Sequence, residues 1–72
     1  MKKAIKHTQD IAELIKESRK AQGLTQLDLA AAANTGNRVI VDSENGKTSC
    51  QVQKVLDLLN NLGIELIADD GE

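Results

Sequence analysis

Residues 23–46 read GLTQLDLAAAANTGNRVIVDSENG, a stretch in which helix stop and start signals follow one another closely. Gly23 ends a preceding helix, because glycine readily adopts the left-handed conformation found just after a last helical turn. Thr25 can cap the next helix, since its hydroxyl accepts a hydrogen bond from the unpaired amides of a first turn. This second helix is predicted to run to about Ala33.

The second half of the same stretch predicts a tight turn and a third helix. Asn34 tolerates the left-handed backbone conformation that a short connection between helices requires. Gly36 can cap a helix that continues to about Glu44, where Asn45 and Gly46 end it. Two short helices joined by a turn of about three or four residues form a helix-turn-helix arrangement.

Apolar residues at helical spacing predict another helix before this stretch. Thr8 or Asp10 can cap its start, and Gly23 ends it near Gln22. The positions on its apolar face are Ile11, Leu14 and Ile15, continued by Ser18 and Ala21.

A fourth helix is predicted over about residues 51–62, where Gly63 stops it. Its apolar stripe is broader than one small core needs, which indicates contact with a second copy of the chain. The stripe contains Val52, Val55, Leu56, Leu59 and Leu62, and Leu58 widens it.

Residues 64–68 read IELIA, follow a glycine and are expected to form a short β-strand. Because the chain contains no second strand candidate, the same segment of another copy is the natural partner for the unpaired backbone groups. We therefore expect an all-α four-helix bundle whose short C-terminal strand pairs in a two-fold homodimer; a frayed apolar tail is the alternative. The residues expected at the dimer interface are Val55, Leu58, Leu59, Leu62, Ile64, Leu66 and Ile67.

The charges of the chain are distributed unevenly, although its formal net charge is only −2. Residues 1–54 hold nine basic and six acidic residues, whereas residues 55–72 hold five acidic residues and no basic one. Two surfaces with different partners are therefore expected. The predicted organisation is a flexible basic arm at 1–8, a helix-turn-helix domain at 9–63, a dimerisation strand at 64–68 and an acidic tail at 69–72.

Composition excludes several classes of function. The 72 residues are enough for one domain, and the single cysteine, Cys50, cannot form an internal disulfide and fits a reducing cytoplasm. With one His, one Cys, no glycine-rich phosphate loop and no metal-ligand cluster, we expect neither an enzyme nor a cofactor. Without Phe, Tyr or Trp the chain has no aromatic platform on which RNA bases could stack, and it has no apolar run of the ~20 residues that cross a membrane.

The pattern Gly23-Leu24-Thr25-Gln26, Leu29-Ala30 and Glu44-Asn45-Gly46-Lys47 resembles the Cro/cI-like (XRE) helix-turn-helix repressor family across residues 10–63. With a short strand-like tail in place of a fifth helix, the chain looks most like the HipB-type antitoxins of toxin–antitoxin systems. The resemblance implies a lambda-repressor-like helix-turn-helix bundle, and a dimeric repressor of its own operon that also binds a HipA-like protein kinase toxin. It also implies a structural salt bridge between Arg19 and Glu44, which an arginine fork and a carboxylate can form well.

The resemblance also implies which residues contact the DNA backbone. Gln26, at the start of the second helix, matches the phosphate-contacting glutamine of the family, where a helix N-terminus also favours an anion. Asn45 and Lys47, after the third helix, match a second phosphate contact.

Base readout is implied for the third helix, through Gly36, Asn37 and Arg38. Asn can bond adenine at two atoms and Arg can bond guanine at two atoms, so the residue types suit the major groove. Asp42, one helical turn beyond Arg38, can orient that arginine or accept from a cytosine amine. The partner is then duplex DNA with an inverted repeat.

Two departures from the family pattern concern packing and surface chemistry. Ser43 stands where a bulky apolar residue usually packs, and Val41 stands where a small polar residue is common. Two alternatives to an antitoxin stay open: a stand-alone phage-type or host repressor, and an interaction-only module that has lost DNA binding.

Overall fold

The structure is a computed structural model that describes residues 4–46 and 52–68, and within these ranges the secondary structure is entirely helical. The four helices in these ranges are α1 (Thr8–Ala21), α2 (Gln26–Ala32), α3 (Asn37–Glu44) and α4 (Val52–Asn61). Helix α1 packs against α3, α3 packs against α2, and α2 packs against α4. This is the expected helix-turn-helix bundle.

The start of α1 differs from the prediction that Thr8 or Asp10 caps it. His7 is the cap residue, and Asp10 reaches back from the first turn instead. Its carboxylate accepts from the backbone N–H groups of Lys6, at 2.9 Å, and of His7, at 3.0 Å. A carboxylate in this position satisfies donors that the helix itself leaves unpaired and also suits the positive end of the helix dipole.

The helix-turn-helix region has the predicted caps and turn. Thr25 caps α2, because its hydroxyl accepts from the Asp28 backbone N–H at 3.0 Å while the Asp28 carboxylate accepts from the Thr25 N–H at 2.9 Å. Asn34 has the expected left-handed conformation, with φ of 54°, and Gly36 is the cap residue of α3. The turn therefore fixes the angle at which α3 leaves α2.

The core lies between all four helices and is purely aliphatic. Five side chains are completely enclosed, and they come from α1, α2, α3 and α4. Ser43, where a bulky apolar residue was expected, is buried, yet no buried side-chain polar atom in the described ranges lacks a hydrogen-bond partner. The enclosed residues are Ile15, Leu29, Ile40, Leu58 and Leu59, and smaller or less enclosed members are Ala12, Ala30 and Leu62.

The position of α4 corrects part of the predicted dimer interface. Leu58, Leu59 and Leu62 are at most 5% exposed, and they pack within the core of their own chain. Their side chains are therefore not available to a second copy. Val55 is half-buried against the same core, whereas Val52, predicted on the same stripe, is 73% exposed. The stripe was broad because one helix closes a core made by three others.

Residues 64–68 form no regular secondary structure within the single chain. Ile64 packs against the core, while Leu66 and Ile67 are exposed by 43% and 80%. Strand pairing between two copies stays a prediction, since a lone strand has no ladder to join. The acidic tail at 69–72, residues 1–3 of the basic arm, and Lys47 lie outside the described residues.

The longest described helix has 14 residues. Among residues 4–46 and 52–68, no helix combines the length and the apolar character needed to cross a membrane.

Candidate DNA-binding face

A buried ion pair connects α1 to the last residue of α3. The Arg19 Nε lies 2.6 Å from one carboxylate oxygen of Glu44, and Nη2 donates to the other oxygen at 3.1 Å. The expected salt bridge is therefore present, and it is largely shielded from solvent, because the two side chains are only 10% and 4% exposed. The hydrogen bond to Glu44 raises the pKa of Arg19 above its ordinary value, although burial opposes the shift.

Arg19 also fixes the connection between α1 and α2. Its Nη1 donates to the Leu24 carbonyl oxygen at 2.7 Å. One guanidinium therefore holds the segment before α2 and the end of α3 together. This arrangement determines how the two helices of the helix-turn-helix unit present their outer surfaces.

Gln26, the first residue of α2, is hydrogen-bonded to the carboxylate of the same ion pair. Its Nε2 donates to the Glu44 carboxylate at 3.4 Å, and the residue is half-buried. An amide nitrogen carries two hydrogens, so one remains available to an outside acceptor. The predicted phosphate contact at Gln26 is thus compatible with its hydrogen bond, and the side chain is oriented from behind by Glu44.

The first turn of α3 is exposed as base readout requires. Gly36, Asn37 and Arg38 are all exposed, and the Arg38 side chain has 84% of its surface accessible. Asp42 is 23% exposed, and its carboxylate oxygen lies 3.7 Å from the Arg38 Nε. Gly36, Asn37 and Arg38 therefore share one exposed end of α3, and Asp42 lies one turn further along the same helix.

The loop after α3 lies against the start of α1. The Thr8 hydroxyl donates to the Gly46 carbonyl oxygen at 3.1 Å. Gly46 has φ of 72°, and a Cβ added there would come within 2.7 Å of the Gln9 side-chain oxygen. Asn45, predicted to contact a phosphate, is exposed directly before this glycine.

Sequence reasoning missed the contacts that cross between elements. The Gln26–Glu44 hydrogen bond, the Leu24 carbonyl acceptor and the Thr8–Gly46 bond all join residues that no local pattern relates. The expected Arg19–Glu44 pair was the one signal for the Gln26 contact. The oxygens of a buried carboxylate need hydrogen-bond donors, so a third polar side chain nearby is expected to donate to one of them. In the described ranges no group of three or more His, Cys, Asp or Glu residues is placed to hold a metal ion.

A helix-turn-helix family model matches residues 15–67 of the chain, which is more than half of its length. The chain belongs to the Cro/cI-like helix-turn-helix family. The uncharacterized HTH-type transcriptional regulator y4mF of Sinorhizobium fredii is 46% identical to it over 66 residues, covering 92% of this chain and 87% of that relative. Like other members of this family, the chain is a DNA-binding transcriptional regulator, a class whose members typically act without catalysis.

Solved structures of similar fold come from HipB complexes. The HipB-O4 20mer complex has a TM-score of 0.88 at 21% sequence identity, over 99% of this chain and 100% of that chain. The HipA-HipB-O2-O3 complex has the same TM-score, identity and coverage. At 21% identity the similarity of the Cro/cI-like chain to these structures is one of fold.

Proposed function

We propose that this regulator is a sequence-specific repressor that binds an inverted repeat as a homodimer and is the cytoplasmic antitoxin of a toxin–antitoxin pair. In this role it represses its own operon and binds a HipA-like kinase toxin. The observation that carries the repressor assignment is the exposed first turn of α3, with Asn37 and Arg38 projecting from a helix that the Arg19–Glu44 pair locks in place.

The roles on the DNA face divide between backbone and bases. Gln26, Asn45 and Lys47 contact phosphates, which position the protein without reading sequence. Gly36, Asn37 and Arg38 lie at the base edges, where hydrogen bonds distinguish one base pair from another, and Asp42 acts beside Arg38. The basic charges in residues 1–54 supply the attraction to phosphates despite the overall charge of −2.

The homodimer is supported by the exposed apolar residues after α4. Leu66 and Ile67 follow Ile64, which packs against the core, so the segment leaves the domain with exposed apolar side chains. Antiparallel pairing of residues 64–68 from two copies would cover these side chains and supply backbone partners. A two-fold dimer then presents two α3 helices roughly one DNA turn, ~34 Å, apart.

The antitoxin role is supported by the similarity in fold, over 99% of this chain, to a HipB-O4 20mer complex and a HipA-HipB-O2-O3 complex. The acidic end of the chain offers a second surface that would be repelled by phosphates and so suits a different partner. A stand-alone repressor needs the same DNA face without that partner.

Two measurements test the proposal. Mobility shifts on the promoter DNA upstream of its own gene should show a specific complex, and Lys47→Ala should weaken binding to all duplexes about equally and lower the salt slope by about one unit. Co-expression with a HipA-like kinase from a neighbouring gene should give a stable complex. That complex should weaken when Asp69, Asp70 and Glu72 are changed to Asn or Gln, with DNA affinity nearly unchanged.

Failure of the two measurements has distinct meanings. A specific DNA complex without kinase binding would support the stand-alone repressor. Kinase binding without any DNA complex would support an interaction-only module. For the dimer, removal of residues 64–72 should shift the mass in sedimentation analysis toward the monomer, and an unchanged mass would contradict strand pairing.

A further inference from the structure

Arg38 and Asp42 form a pair whose geometry is asymmetric. One oxygen of the Asp42 carboxylate lies 3.7 Å from the Arg38 Nε. The Asp42 side chain, one helical turn further along α3, is 23% exposed, whereas the Arg38 side chain is 84% exposed. The carboxylate is therefore the more enclosed member of the pair, and the guanidinium is the more accessible one.

A guanidinium that meets a carboxylate through Nε still has its Nη1 and Nη2 donors for another ligand. Two such donors match the O6 and N7 acceptors of a guanine in the major groove. A long arginine side chain at 84% exposure otherwise samples many rotamers, and fixing one of them costs conformational entropy on binding. A carboxylate beside Nε favours the subset of rotamers that keep the guanidinium next to Asp42.

We propose that Asp42 is a positioning residue that determines the specificity of Arg38, rather than a base contact in its own right. The proposal rests on the DNA-binding role of α3 given above. Asp42 orients the guanidinium toward guanine and at the same time makes Arg38 a poorer ligand for phosphates of any sequence.

The second effect follows from the difference between the two ligands. A phosphate attracts Arg38 through net charge, which a neighbouring carboxylate partly cancels. The guanine edge is neutral and is recognised by two aligned hydrogen bonds, which depend on the direction of the fork. The carboxylate thus weakens non-specific binding more than specific binding.

The experiment uses a duplex of about 20 base pairs selected by the wild-type protein from a randomised pool, a length that spans two half-sites. Every base pair of that duplex is then substituted in turn, and an unrelated duplex of equal length measures non-specific binding. For Asp42→Asn we expect the ratio of specific to non-specific affinity to fall roughly three- to tenfold, around the lower end of what one base contact discriminates. Non-specific affinity should rise, and preference should relax at the base pair that Arg38→Ala also relaxes.

Glu17→Gln is the matched control, because it removes one negative charge from an exposed position on α1. It should leave the affinity ratio unchanged. Equal effects of Glu17→Gln and Asp42→Asn would overturn the proposal in favour of a general charge effect.

The decisive measurement repeats Asp42→Asn in two other backgrounds, Arg38→Ala and Arg38→Lys. If Asp42 acts through the arginine fork, its substitution should have no effect on base preference in either background. Arg38→Lys keeps the charge but lacks the fork, and it changes only an exposed side chain. A persistent effect, or relaxed preference at a different base pair, would overturn the proposal and make Asp42 a direct base contact.

Failure of the underlying function gives a different result. If the wild-type protein selects no duplex from the pool, the DNA-binding proposal fails and this one fails with it. If the wild type selects a duplex and Asp42→Asn binds it with an unchanged affinity ratio, only the positioning role is overturned.

Discussion

Two pairs of arginine and carboxylate lie at α3, and they have opposite surroundings. Arg19 and Glu44 are 10% and 4% exposed and meet at 2.6 Å, whereas Arg38 and Asp42 are 84% and 23% exposed and lie 3.7 Å apart. The first pair joins residues 25 positions apart, and the second joins residues four positions apart on one helix. The buried arginine–carboxylate pair therefore stabilises the tertiary structure, whereas the exposed pair faces an external ligand.

Burial explains the division of roles. A buried charge without a partner strongly destabilises the folded state, so Arg19 and Glu44 each need the other to remain buried. At the surface, water and salt screen the attraction, and a pair of this kind contributes about 0–1 kcal/mol to stability. A weakly held arginine can exchange its partner for a base, and a strongly held one cannot.

The largest expected effect comes from breaking the buried pair. Glu44→Ala leaves the Arg19 guanidinium buried without its carboxylate and should lower the free energy of unfolding by about 3–5 kcal/mol. Urea unfolding followed by circular dichroism measures the loss. The matched control is Asp42→Ala, which should change the unfolding free energy by no more than about 1 kcal/mol. Similar losses for both variants would break the comparison between the two pairs.

A double substitution separates charge from packing at the same site. Arg19→Met with Glu44→Leu removes both charges and keeps most of the volume, so it should regain much of the stability that Glu44→Ala loses. It also removes the carboxylate that orients Gln26. We therefore expect a folded protein with weakened DNA binding, and full DNA affinity in this variant would show that Glu44 has no part in orienting Gln26.

The next effect is at the exposed pair, and it concerns DNA rather than stability. Arg38→Ala should leave the unfolding free energy within about 0.5 kcal/mol of the wild type, because its side chain is exposed. It should lose about 1–3 kcal/mol on the selected duplex and relax the preference at one base pair. Calorimetry and mobility shifts measure the two quantities. Intact affinity and preference would contradict the assignment of α3 as the recognition helix.

The local signals in the sequence predicted the helix-turn-helix unit well. Thr25, Asn34 and Gly36 act through their own backbone or the nearest amides, so their effect is readable from neighbours alone. The prediction for the cap of α1 was wrong. Asp10 lies inside the first turn, and its carboxylate accepts hydrogen bonds from the backbone N–H groups of the preceding residues Lys6 and His7.

Tertiary partners were less predictable for a physical reason. The apolar face of α4 is visible in the sequence, but whether Leu58 meets its own chain or another copy depends on how the other helices are placed. The Arg19–Glu44 pair was expected from the family resemblance, and no spacing rule would have joined these residues. The hydrogen bond from Gln26 to Glu44 depends on that pair, so it could be found only once the helices were in place.

The smallest expected effect comes from a third carboxylate, Asp28, which is exposed but has neutral partners. The pKa of Asp28 lies below its ordinary value, because the backbone N–H and then the side chain of Thr25 hydrogen-bond to its charged form. A lowered folded-state pKa means that this stabilisation is complete above the unfolded value of about 3.9 and is lost as pH falls through the folded pKa. Asp28→Asn should therefore lower the melting temperature at pH 6 and have little effect at a pH below the folded pKa, where the wild type is protonated too. Since the partners of Asp28 carry no net charge, the difference at pH 6 should persist in about 1 M salt, which screens exposed ion pairs such as Arg38–Asp42. Thermal unfolding of both proteins at the two pH values and two salt concentrations measures this, and a difference that disappears in salt would show that exposure alone, and not the kind of partner, sets the strength of a carboxylate contact in this fold.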